Sequence, residues 1–139
     1  MNSRDIDFYL RGIMNMASSA SKSIGPSYVE VECYDKDEFL EEFKKNYRVT
    51  INIEELEKTD NNLKNVIGNW FYNEEKIAES IDYWFNLHLD NIENIYVPSV
   101  DTINKIEENK VNSYFYIIED LIFVELKDKI IVFILGNNE

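Results

Sequence analysis

The chain of 139 residues carries 27 acidic and 14 basic side chains, a net charge of −13, and 45% of its residues are hydrophobic. This length and composition suit one hydrophobic core, so we expect a single globular domain over residues 1–139 and exclude a disordered chain. With one histidine, one cysteine and four glycines, the chain is poor in the residues that build most catalytic and cofactor sites, and it cannot form an internal disulfide.

The N-terminal segment is predicted to be a helix followed by a strand. The helix is indicated by apolar residues at helical spacing, namely Ile6, Tyr9, Leu10, Ile13 and Met14. Gly25-Pro26 ends any helix, because proline cannot continue the hydrogen-bond ladder. From Tyr28 to Tyr34 the residues alternate, which predicts a half-buried strand with one apolar face, formed by Val29, Val31 and Cys33.

A short helix is expected next, from Asp37 to about Tyr47, with Asp35 or Asp37 as its cap. The apolar side of this helix is formed by Phe39, Leu40, Phe43 and Tyr47. Residues 48–53 alternate as a strand would, but Asn52 followed by Glu55 is equally typical of a capped helical turn, so both interpretations stay open. Residues 59–62 form a break.

Three more helices are predicted beyond the break. The first carries an apolar stripe of Leu63, Val66, Ile67, Trp70 and Phe71. The second begins near Asn73, where acidic residues suit the first turn, and its stripe is Ile77, Ile81, Trp84, Phe85 and His88. The third follows a Ser99 cap and carries Val100, Ile103 and Ile106.

The C-terminal third is predicted to be a meander of three antiparallel strands. Three apolar runs, 113–118, 121–126 and 130–135, are separated by Glu119-Asp120 and by Lys127-Asp128-Lys129. The last run does not alternate, so we expect it to be central in the sheet and covered on both faces. The fold class is therefore α+β, with helices packed on a small, mainly antiparallel sheet.

No catalytic, metal or cofactor residue is assigned. His88 shares a helical face with Trp84 and Phe85 and is interpreted as structural, and Cys33 as a small core residue. Asp35 and Asp37 are spaced as in a calcium loop, but the glycine and closing glutamate of that loop are missing. One alternative is a metal-dependent, nuclease-like enzyme, because Glu125-Leu126-Lys127 resembles the E-x-K end of restriction-type nuclease sites.

The acidic residues favour a binding surface over an enzyme. Residues 77–104 contain no lysine or arginine, and clustered charge of one sign steers a partner of opposite charge. We expect a basic protein partner to bind through Glu74, Glu75, Glu79, Asp82, Asp90 and Glu93. Candidate aromatic anchors of this surface are Trp70, Tyr83, Trp84 and Tyr96. Trp70 and Trp84 fit the apolar helical stripes better, which favours a core position for both. The alternative is a solvated face that only keeps the protein soluble.

The same charge argues against other partners. Nucleic acid and anionic membranes both require a basic patch, so direct binding to either is not expected. No apolar run approaches the roughly 20 residues of a membrane span. The residues after Met1 lack the order of a signal peptide, and we expect a cytoplasmic protein.

A small acidic α+β chain without an assignable active site, ending in Ile134-Leu135-Gly136-Asn137-Asn138-Glu139, resembles the immunity proteins of bacterial toxin systems, including those of contact-dependent inhibition and polymorphic toxins. The resemblance lies in overall character and the final meander and implies neutralisation of a basic toxin, plausibly a nuclease. An acidic DNA-mimic anti-restriction protein is a variant. Dimerisation through an exposed edge strand of the meander is also open.

Overall fold

The computed structural model describes residues 10, 12–13, 16, 27–70, 76, 79–80, 82–83, 92–110 and 117–137. Five strands form one sheet: β1 (Ser27–Asp35), β2 (Lys58–Thr59), β3 (Asn94–Tyr96), β4 (Ile117–Glu125) and β5 (Lys129–Asn137). Their order is β1-β5-β4-β3-β2, and every pair is antiparallel. The helices whose bounds lie within the described residues are α1 (Phe39–Tyr47), α2 (Leu63–Trp70) and α3 (Val100–Asn109). The α+β prediction is confirmed.

Strand β5 lies inside the sheet, between β1 and β4, as its continuous apolar run predicts. Every residue from Ile130 to Leu135 is buried, because helices cover both faces of the sheet. In the described sheet β5 is paired on both sides, whereas β4 pairs with β3 only from Phe123 to Glu125. Dimerisation through an edge strand of the meander stays a prediction.

The predicted boundary between two strands at Glu119-Asp120 is also wrong. Both residues lie within the single strand β4, where the register with β5 shifts between Ile118 and Asp120. A β-bulge accommodates an extra residue without ending the ladder. In the part of the chain that is described, the predicted three-strand meander is thus a two-strand hairpin, closed by a turn at Lys127-Asp128.

Two apolar clusters hold the helices on the sheet. On one face, α2 and the helical residues Leu10 and Ile13 pack against side chains that include Val31, Ile122 and Phe133. On the other face, α1 and α3 pack against side chains that include Phe123, Val132 and Ile134. The alternation predicted for β1 is confirmed here, since Val31 and Cys33 belong to the first face.

Helix α1 departs from its prediction in two respects. Phe39, Phe43 and Tyr47 are buried, but Leu40 is 50% exposed, because it lies off the stripe that these three residues define. A 3-10 turn, Lys36–Glu38, precedes the helix, and the Asp35 side chain forms no capping hydrogen bond. That carboxylate accepts instead from Lys129 Nζ at 2.9 Å.

Of the two interpretations of residues 48–53, the helical turn is correct. The Asn52 side chain caps a 3-10 turn, Ile53–Glu55, by accepting from the Glu54 N–H at 3.3 Å. Val49, Ile51 and Ile53 still alternate into the core. The alternation of apolar residues therefore predicted correctly which side chains are buried, although the segment is not a strand.

The cap of α3 is confirmed, since Ser99 Oγ accepts from the Thr102 N–H at 3.3 Å. Ile103 and Ile106 are buried as predicted, but Val100 is 72% exposed. The predicted helix over residues 73–88 is described at Lys76, Glu79, Ser80, Asp82 and Tyr83, whose backbone is helical; its other residues lie outside the described part. None of the described helices has the length and apolar character of a membrane crossing.

Candidate partner-binding surface

Two grooves lie beside one short segment of chain, Lys58–Asn61, which forms part of the wall of both. The segment turns sharply from β2 towards α2. Thr59 Oγ1 accepts from the Asn61 N–H at 3.1 Å, and Asn62 Oδ1 accepts from the Asn65 N–H at 2.9 Å at the start of α2. Side-chain hydrogen bonds of this kind are why threonine and asparagine favour turns and helix starts.

The first groove has a volume of about 330 Å³ and contains three carboxylates, those of Asp60, Asp82 and Glu93. Asp60 and Glu93 are exposed, and Asp82 is half-buried. Ile92 and Ile95 contribute apolar lining. One of the charges is partly offset, because Glu93 lies 3.7 Å from Lys36 Nζ.

The second groove has a volume of about 650 Å³ and is lined by Glu57, Asp60 and Asp120. Its apolar lining comes from Val66, Val97, Pro98 and Val100. Asp120 is half-buried at the bulge of β4, and its carboxylate accepts from the N–H of the next residue at 2.9 Å. Burial raises the pKa of Asp120, although that hydrogen bond works in the opposite direction.

Among the described residues, the grooves are lined by one cationic side chain, Lys58, and by the acidic residues Glu57, Asp60, Asp82, Glu93 and Asp120. Acidic residues are exposed elsewhere too, for example on α1, but there Lys44 and Lys45 accompany them, and Lys45 pairs with Glu42 at 3.1 Å. Concave surfaces lined by one sign of charge focus the electrostatic field and raise the local concentration of oppositely charged partners. The grooves are therefore the best-defined acidic surface of the described residues.

The structure brings two of the six predicted partner-binding residues together, since Asp82 and Glu93 line the first groove. Glu79 is exposed on the helical segment and lines a separate depression with Lys76 and Tyr83. Glu74, Glu75 and Asp90 lie outside the described residues.

The prediction missed three other carboxylates of the grooves, those of Glu57, Asp60 and Asp120. Asp60 lies in the segment predicted only as a break, and Asp120 in a predicted turn that is instead a bulge. The sequence pattern that could have indicated Asp60 as a surface residue is the run of turn-forming residues in which it lies. Nothing local in the sequence distinguishes Asp120, because the groove around it is assembled from segments distant in the chain.

The candidate aromatic anchors have different outcomes. Tyr83 is 62% exposed, as an anchor would be, whereas Tyr96 is buried. Tyr96 is therefore excluded as an anchor, and its hydroxyl group serves an internal network instead. The side chains of Trp70 and Trp84 lie outside the described part.

That internal network surrounds Glu125, which is 6% exposed and is the only buried charged residue of the described chain. Asn94 Nδ2 and the Tyr96 hydroxyl donate to Glu125 Oε1 at 2.8 and 3.1 Å. Lys36 Nζ lies 3.0 Å from Glu125 Oε2 and also donates to the Leu126 carbonyl at 3.2 Å. Burial works to raise the pKa of Glu125, but the three donors outweigh it and the pKa lies below its ordinary value of 4.5.

The network does not resemble the nuclease-like site of the alternative interpretation. Lys127 lies beyond the end of β4 in the hairpin turn and is exposed. Both oxygens of Glu125 are engaged by protein donors. Across the described ranges, no three residues of His, Cys, Asp and Glu lie together as a metal-binding group. The geometry fits a structural ion pair that joins the 3-10 turn before α1 to β4, with β3 contributing two further donors to Glu125.

Of the two remaining candidates for chemistry, Cys33 and His88, the structure describes only Cys33. Cys33 is partly buried and packs against the apolar cluster beneath α2, as expected of a small core residue. His88 lies outside the described residues.

No protein-family model matches this chain, and neither a curated protein nor a solved structure matches it significantly. The geometry of the described residues therefore carries the functional argument.

Proposed function

We propose that this chain is a stoichiometric protein inhibitor that binds a basic protein through the two acidic grooves beside Lys58–Asn61. The observation that supports the proposal is that five acidic residues and a single lysine, counted over the described part of the chain, line this concave surface. Such a surface raises the association rate of a cationic partner and rejects acidic ones.

Within this class, the function we favour is that of an immunity protein that neutralises a basic bacterial toxin with nuclease activity. The catalytic cleft of a nuclease must hold a polyanion, and its basic lining is the kind of surface that the grooves complement. The resemblance to immunity proteins in composition and size supports this choice among protein inhibitors. A DNA mimic fits less well, since Lys58 stands within the acidic surface itself.

The proposal is tested by co-expressing the chain with the product of its neighbouring gene in a bacterial host and measuring growth. The neighbour alone should arrest growth, and the chain should restore it. The double variant Asp82→Asn/Glu93→Gln should restore growth less well, because two of the steering charges are gone. The matched control, Glu41→Gln/Glu108→Gln, removes the same charge from exposed residues of α1 and α3.

A harmless neighbour, or equal rescue by the two double variants, would contradict the proposal. The second result would mean that the groove carboxylates contribute no more to binding than exposed acidic residues elsewhere.

A further inference from the structure

The second groove combines carboxylates with apolar side chains, some of which a partner can contact. Val66 and Val97 are half-buried, and Pro98 is buried beside them. Val100 is 72% exposed at the start of α3. An exposed apolar surface of this kind, rimmed by charge, is typical of a binding site for a side chain that is itself part apolar and part charged.

Asp120 is the acidic residue of this groove that has most to gain from a cation. It is half-buried, and its hydrogen bond comes from the N–H of Leu121, a neutral donor. Among the described residues, no lysine or arginine forms an ion pair with it. Burial of a carboxylate without a cation costs stability, and a cation supplied by a partner would offset that cost.

A metal ion fits this groove poorly. Three carboxylates and Lys58 line it, and in the described part of the chain the carboxylates do not converge into a group able to hold a metal. Carboxylates spread along an apolar groove complement a longer cation, and lysine and arginine side chains have an aliphatic stem that can lie on valine and proline.

We infer that the second groove receives a lysine or arginine side chain of the protein partner, with its aliphatic stem on Val97 and Val100 and its cationic group beside Asp120. This inference rests on the proposed function and names the feature of the partner that this groove recognises.

The test uses two hexapeptides of equal charge, hexalysine and hexa-2,4-diaminobutyrate, whose side chains are two methylenes shorter. Their affinities for the full chain are measured by calorimetry at low salt and slightly acidic pH, where both peptides are fully charged. Hexalysine should bind roughly five- to tenfold more tightly, because its longer stems bury more apolar surface.

Three variants separate charge from apolar contact. Val100→Ser should weaken hexalysine roughly threefold and leave the shorter peptide unchanged, since only the longer stem reaches that contact. Asp120→Asn should weaken both peptides by roughly fivefold. Asp101→Asn is the matched control, an exposed acid of α3 outside the groove, and should change either affinity less than twofold. Circular dichroism checks that each variant folds.

Equal effects of Asp120→Asn and Asp101→Asn, or an equal response of the two peptides to Val100→Ser, would overturn the inference. Saturable binding of Mg²⁺ or Mn²⁺ that is lost in Asp120→Asn would also overturn it. If hexalysine binding depends on Asp82 and Glu93 but not on Asp120, the inference fails while the proposed function stands. If no acidic residue of either groove affects binding, both fail.

Discussion

Replacing Glu125 by glutamine separates a structural ion pair from a functional carboxylate. Glutamine has the same size and keeps one acceptor oxygen. Asn94 and Tyr96 both donate to Oε1, so the amide oxygen of glutamine can take over that position. The amide nitrogen then replaces Oε2 and faces Lys36 Nζ, which lies 3.0 Å away in the native chain. A charge-assisted hydrogen bond becomes a contact between two donors.

The size of the effect follows from the burial of the two partners. Hydrogen bonds to charged groups contribute about 1.5–3 kcal/mol. Loss of one partner of a fully buried pair costs about 3–5 kcal/mol, but the Lys36 side chain is 31% exposed, so Lys36 remains partly hydrated. It also keeps its bond to the Leu126 carbonyl at 3.2 Å. We therefore expect Glu125→Gln to lower the free energy of unfolding by about 2 kcal/mol.

Equilibrium unfolding in urea measures this difference. With a slope of about 2 kcal/mol per molar for a domain of this size, the midpoint should fall by about 1 M. The control is Glu42→Gln, which breaks an ion pair at the surface, where the Lys45 side chain is 71% exposed. This change should alter the free energy of unfolding by less than about 0.5 kcal/mol. Equal effects of the two variants, or a more stable Glu125→Gln protein, would refute the interpretation of Glu125 as a structural ion pair.

Three further predictions concern pH, the groove and the core. The pKa of Glu125 is lowered in the folded state, so the ionised carboxylate stabilises the fold above pH 4.5. The loss of unfolding free energy caused by Glu125→Gln should therefore shrink as the pH falls below 4.5, which urea unfolding at several pH values measures. The pKa of Asp120 is raised from 3.8, so its negative charge opposes folding at neutral pH. In thermal unfolding at pH 7, Asp120→Asn should leave the stability unchanged or raise it by up to about 1 kcal/mol. This gain in stability should vanish in acid, where the native carboxyl group is protonated. Phe43→Ala should cost about 3–5 kcal/mol and Leu40→Ser less than about 0.5 kcal/mol in urea unfolding; comparable losses would contradict the observed orientation of α1.

Local patterns predicted the elements that local interactions decide. The alternation of β1, the continuous apolar run of β5 and the Ser99 cap all follow from side-chain spacing and backbone chemistry within a few residues. The bulge at Glu119-Asp120 escaped prediction because two acidic residues between apolar runs are typical of a turn. Whether such a pair forms a turn or a bulge depends on the pairing partner in β5, which no local pattern reveals.

The candidate site depends even more on contacts between residues that are distant in the sequence, which local patterns do not reveal. The hydrogen bond between Asn94 and Glu125 joins residues that are 31 positions apart. Nothing beside Glu125 in the sequence indicates that Lys36 pairs with it. Asp82 and Glu93 were predicted as members of the acidic surface and line the first groove. The segment between the two grooves, Lys58–Asn61, lies outside the stretch without basic residues. Composition predicted the sign of the surface, and only the fold located its grooves.

The central claim is that a cationic macromolecule binds the grooves, and mapping backbone amide shifts by NMR during a hexalysine titration tests it most directly. The account predicts that the largest shifts fall on residues 57–61, 93–95, 97–100 and 119–121, and that high salt abolishes them. Residues of α1, which carries exposed acids together with lysines, should shift little. Shifts of equal size at every exposed acid, or a maximum on α1, would contradict the claim.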